Sequence, residues 1–146
     1  MPKITRTGLP FVAAGLLLGQ QALAAPPAGH AAHSAMPPAA VVTELMAKDL
    51  PDIPGKDVVM ITVDYPPGAV DPIHRHDADS FIYVLEGSIV MQVKGGKEVT
   101  LTPGQTWYEG PDDIHTVGRN ASQSKPAKFL VMLVKKKGAP VLIPVE

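Results

Sequence analysis

The sequence predicts an all-β domain, a sandwich or barrel of short strands. Three observations carry this: β-branched and aromatic runs recur at short intervals, Gly and Pro clusters separate them, and only one segment past residue 40 admits a helix reading. That segment, Val41 to Leu50, reads equally as strand or short helix. The strands expected after it run Val58 to Tyr65, Phe81 to Glu86, Ser88 to Val93, Glu98 to Leu101, Gln105 to Tyr108, Thr116 to Arg119 and Phe129 to Lys135. Between them, Pro66-Pro67-Gly68, Glu86-Gly87, Lys94-Gly95-Gly96, Pro103-Gly104 and Gly110-Pro111 supply a fixed or a positive φ where the chain must reverse.

The chain start has a different character. Lys3 and Arg6 precede an apolar run from Leu9 to Gly19, and Ala22-Leu23-Ala24 forms a small-residue cleavage site. This is the pattern of a secretory leader over residues 1–24. The apolar run is much shorter than the ~20 residues that span a bilayer, so the expectation is a periplasmic or secreted protein without a membrane anchor after cleavage. Residues 25–40 are Ala- and Pro-rich, too poor in large apolar groups to offset the entropy of ordering, and read as a flexible tether. His30 and His33 lie in this tether. The domain proper is expected over residues 41–146.

With 13 basic and 14 acidic residues, the chain offers no broad attraction to phosphate backbones, which argues against a nucleic-acid partner. Lys135-Lys136-Lys137 is the one basic run and reads as a solvated strand end. Cysteine is absent, so stability must come from packing, with metal binding or dimerisation as candidate supplements.

Chemistry concentrates on three histidines. His74-Arg75-His76 follows a turn, and residues two apart on extended chain face the same way, so both imidazoles aim at one point while Arg75 faces away. His115 joins them if the sheets enclose a common pocket. A metal ion held by His74, His76 and His115 is the reading that this triple supports.

The spacing of these residues resembles the cupin family of small jelly-roll (double-stranded β-helix) barrels. Gly68, His74, His76 and Gly87 follow the first family motif, and Pro103-Gly104-Gln105 leading to His115 and then Asn120 follows the second loosely. The first motif also contains a glutamate, and Ser80 or Phe81 stands where it is expected. The expectation is therefore a three-histidine site without the usual carboxylate, suited to zinc, iron, copper or nickel, which the residues do not separate. Asp77, Asp79 and Glu109 are nearby carboxylates able to serve as fourth ligand or proton acceptor. Ser80, Tyr83, Trp107 and Glu109 are the candidates for the pocket or for the shell around it.

Two functions follow from that site. One is a metal-dependent enzyme of oxygenase or lyase type acting on a small oxygen- or sulfur-bearing molecule, in which no residue is identified as the proton-transferring group. The other is a module that binds a small molecule or a metal without chemistry. The resemblance also implies a homodimer paired through its sheets.

Overall fold

In the computed structural model the described residues are 36–146. The proposed leader, most of the tether and His30 and His33 lie outside them. Ten strands follow in order: β1 (Val41–Asp49), β2 (Lys56–Tyr65), β3 (His74–Arg75), β4 (Ala78–Glu86), β5 (Ile89–Val93), β6 (Val99–Leu101), β7 (Thr106–Glu109), β8 (Ile114–Asn120), β9 (Ala127–Lys136) and β10 (Ile143–Pro144). They form two five-stranded antiparallel sheets, ordered β1-β2-β9-β4-β7 and β10-β3-β8-β5-β6.

The expected jelly-roll arrangement is present as these two sheets, but neither closes into a barrel. Each keeps two edge strands, β1 and β7 on one, β10 and β6 on the other. Val41 to Leu50 resolves as an edge strand whose nine strand residues are all exposed, because among the described residues it pairs only with β2 and no element covers its faces. Hydrogen bonding to a neighbour, not burial, fixes its conformation. A hydrophobic pattern therefore carries little information there.

Elsewhere the period-two alternation decides which face turns inward. In β9, Phe129, Val131 and Leu133 are buried while Leu130, Met132 and Val134 are less so. With Val59, Ile61, Val63, Ile82, Val84, Ile89 and Met91 they make the core between the sheets. Asn120 is fully buried at its edge, donating to the carbonyls of Pro66 and Lys125 at 3.0 and 2.8 Å and accepting from the Ser122 amide at 2.8 Å. It ties the β2 end to the β8–β9 link.

Gly87 makes the turn from β4 to β5 possible. Its φ is +68°, and a Cβ there would press on the Pro126 carbonyl and sit 2.7 Å from the Ala127 Cα. No other residue fits that backbone-to-backbone contact.

Candidate metal centre

His74 on β3 and His115 on β8 are direct cross-strand partners, and both are 4% exposed. His76 follows β3 in the link to β4. The His74 ring stands edge to face with His76, centroids 4.9 Å apart, and tilted against His115, centroids 4.8 Å apart. Into this cluster the opposite sheet sends one carboxylate, Glu109, the last residue of β7, 2% exposed.

Glu109 corrects the expected three-histidine site without a carboxylate. Its Oε2 lies 3.5 Å from His76 Nε2 and its Oε1 3.3 Å from His115 Nδ1. The motif position is occupied by Ser80, which is fully buried on β4, and Ser80 pairs in register with Glu109 on β7. Cross-strand partners share a face with Cβ atoms about 5 Å apart, so the carboxylate enters the same space from the neighbouring strand.

Burial sets the charge states. Glu109 is raised to about 7 by burial, against which the Trp107 indole, donating to Oε1 at 3.1 Å, acts to lower it. His115 is lowered to about 4, chiefly by burial and then by the neighbouring His74, and His76 is lowered for the same first reason. At neutral pH, His76 and His115 are uncharged, so their approaches to Glu109 are not ion pairs.

The tautomers follow from the backbone. His74 Nδ1 donates to the Pro72 carbonyl at 2.8 Å, His76 Nδ1 donates to the Val141 carbonyl, and His115 Nε2 donates to the Val117 carbonyl at 2.6 Å. A carbonyl only accepts, so each of these nitrogens carries the proton. The lone pairs left are on His74 Nε2, His76 Nε2 and His115 Nδ1, and the last two face the oxygens of Glu109. Acceptor facing acceptor in a buried site is unfavourable without a proton or a cation between them.

This donor set fits a divalent transition metal. Ligand atoms about 2.1 Å from one ion stand about 3.0 to 3.4 Å from each other in octahedral or tetrahedral geometry, close to the two separations found. Each imidazole has its second nitrogen on a backbone carbonyl, the usual support of a metal-binding histidine. The convergence is pairwise: as the side chains lie, no group of three or more His, Cys, Asp or Glu among the described residues has full metal-holding geometry.

The other sequence candidates divide. Trp107 contacts Glu109 and packs against the core. Tyr83 is not in the pocket: it alternates to the outer face of β4 and is 44% exposed, near Phe81 and Tyr108. Asp77 pairs with Arg75, and Asp79 accepts from the Tyr108 hydroxyl at 2.7 Å.

Two residues of the cavity wall escaped sequence reasoning. Tyr65, fully buried, donates its hydroxyl to Asp71 Oδ2, and both line the cavity that holds the histidines. Burial raises Asp71 above the ordinary carboxylate range, opposed by the Tyr65 hydrogen bond, and raises Tyr65 further. Gly118 leaves room for this carboxylate, since a Cβ there would lie 2.9 Å from Asp71 Oδ2 and 3.0 Å from His115 Cε1. In sequence Tyr65 is only the end of the strand expected over Val58 to Tyr65, and the only signal for Asp71 is an aspartate three residues before His74.

The chain matches the family model described as a cupin domain over residues 61–133. No protein of curated function matches it. Among solved structures it is similar to the DMSP lyase DddQ from Ruegeria pomeroyi, at 20% identity and TM-score 0.54, over 60% of this chain and 43% of that one. It thus spans under half the length of that lyase. It is also similar to the polyketide cyclase RemF from Streptomyces resistomycificus, at 24% identity and TM-score 0.54, over 73% and 71% of the two chains. A third likeness is to an uncharacterized double-stranded β-helix protein from Klebsiella pneumoniae, at 16% identity and TM-score 0.58, over 73% and 85%. At these identities the likeness is one of fold.

Proposed function

The chain belongs to the cupin family, and from that premise we propose that it is a metal-dependent protein in which His74, His76, His115 and Glu109 hold one divalent transition-metal ion. The observation that carries this is the pair of imidazole lone pairs aimed at the Glu109 oxygens, both imidazoles fixed in that tautomer by backbone carbonyls. Such an ion supplies Lewis acidity to a small-molecule oxygen bound beside it.

The chain's own residues do the rest. Trp107 holds Glu109 by its Oε1, and the Pro72, Val141 and Val117 carbonyls hold the rings. Tyr65 and Asp71 place a hydroxyl and a carboxyl at the same cavity. The inner faces of the sheets give the rest of the cavity an apolar wall.

Calorimetric titration of metal-stripped protein with zinc tests the reading. One ion per chain is expected, with uptake abolished in His74→Ala. Absence of saturable uptake, or uptake unaffected by His74→Ala, refutes it.

Two further expectations stay as proposals. Residues 1–24 act as a leader that places the protein in the periplasm or outside the cell, which the N-terminal sequence of exported protein tests. A homodimer is supported by the exposed aromatic patch of Phe81, Tyr83 and Tyr108 on the outer face of the first sheet, and light scattering of the purified chain reads it.

A further inference from the structure

The cavity at the histidines is sorted by polarity. At one end lie His74, His76, His115 and Glu109 with Tyr65 and Asp71; the remaining wall is hydrocarbon, including Ile61, Val63, Ile82, Phe129, Val131 and Leu133. The C-terminal segment contributes Val141 and Leu142 to the same wall. That segment is fastened by β10 pairing with β3, by the Val145 amide on the Ile73 carbonyl at 3.1 Å, and by His76 Nδ1 on the Val141 carbonyl. Among the described residues no lysine or arginine lines the cavity, and Tyr65 and Asp71 are already bonded to each other.

Resting on the four-ligand site proposed above, we infer that its substrate is a compact hydrocarbon body carrying one oxygen-bearing head, the head on the ion and the body against the apolar wall. A polyhydroxylated molecule would bury hydroxyls with nothing to bond them, which is costly. A phosphate ester or nucleotide would find no cationic side chain. The cavity volume of ≈ 110 Å³ limits size. A dry cavity of about 150 Å³ accepts benzene, so the enclosed body here has about four to six non-hydrogen atoms. Leu142, 36% exposed and outside the core cluster, is a wall residue at which size and polarity can be altered without disturbing the core.

The test keeps the metal-binding head constant and varies the body. Zinc uptake is measured first; then zinc-loaded protein is titrated with acetohydroxamate, 3-methylbutanohydroxamate and gluconohydroxamate. Affinity should rise about tenfold or more from the first to the second, because added methylene groups leave water, and should fall back for the third. Leu142→Asn should weaken 3-methylbutanohydroxamate by about tenfold and leave acetohydroxamate and zinc stoichiometry unchanged. Since Leu142 lies at the surface end of the wall, Val131→Ala provides a second reading, a drop for the branched probe alone. Zinc uptake with gluconohydroxamate bound as tightly as the branched probe overturns the substrate class and leaves the metal site standing. No zinc uptake overturns the site, and the class with it.

Discussion

Ser80 on β4 and Glu109 on β7 are cross-strand partners in register, and the family's carboxylate position holds the serine while the carboxylate arrives from its partner. Because the two side chains project from neighbouring strands into the same space, their identities should be exchangeable. Glu109→Ala is expected to lower zinc affinity about a hundredfold or more, since loss of supporting groups alone costs about 10–100-fold. The double exchange Ser80→Glu with Glu109→Ser is expected to recover at least about tenfold of that loss. Competition titrations with a zinc chelator read both, and a double exchange no better than Glu109→Ala shows that the two positions do not reach the same point.

Trp107→Phe removes the indole donor from Glu109 Oε1 while keeping an aromatic ring in the core. That bond lowers the carboxyl pKa, so its loss raises the apparent value above about 7 and weakens zinc binding near neutral pH. An NMR titration of the Glu109 side-chain carboxyl checks the shift. An unmoved midpoint means that the indole does not act on this carboxylate.

Metal uptake requires the carboxylate ionised and the imidazoles neutral. With Glu109 at about 7 and His115 at about 4, zinc affinity should begin to fall as pH drops through about 7, and fall more steeply towards 4. Between pH 7 and 4, uptake should release a proton from Glu109, visible as a buffer-dependent binding enthalpy. A midpoint at the ordinary carboxylate value assigns uptake to another group.

The same two groups act on metal-free stability with opposite signs. His115 falls from 6.5 to about 4 on folding, so from 4 to 6.5 the unfolded chain binds more protons and stability rises with pH. Glu109 rises from 4.5 to about 7, so over that range the native chain binds more protons and stability falls with pH. Glu109→Gln removes the second effect. Urea denaturation of the metal-free variant from pH 4 to 8 should show a clearer rise up to 6.5 than the parent, and greater stability than the parent at pH 8. A variant that follows the parent throughout contradicts the assigned shift.

Glycines separate stability from site geometry. Gly87→Ala strains a positive φ and presses on the Pro126 carbonyl and the Ala127 Cα, and is expected to cost about 1–3 kcal/mol or more without altering zinc stoichiometry. Gly118→Ala meets Asp71 and His115 instead, so its larger effect should be on zinc affinity. Equal effects of both on stability, with zinc affinity untouched, would remove Gly118 from the site's support.

Much of the fold was readable because burial and local geometry act along the chain. The continuous apolar run Phe129 to Val134 of β9 and the turn at Gly87 both announce themselves in sequence. β1 did not, since an exposed edge strand has no buried face to impose a pattern. β3 and β10, two residues each, are defined only by their partners. In the site, His74, His76 and His115 stood out by spacing, whereas Glu109 was only one of three candidate carboxylates with Asp77 and Asp79, because its relation to Ser80 is one of register between strands. Ending the predicted strand at Tyr108, one residue short, concealed that relation further. Tyr65 and Asp71 join the histidines through the topology that brings β2 beside them. No motif marks them.

The most direct test is anomalous diffraction from crystals of the zinc-loaded protein. One peak is expected, with His74 Nε2, His76 Nε2, a nitrogen of His115 and a Glu109 oxygen at about 2.0–2.2 Å from it. Zinc bound by the three histidines with the Glu109 carboxylate turned away, or zinc found at another place, contradicts the four-ligand site.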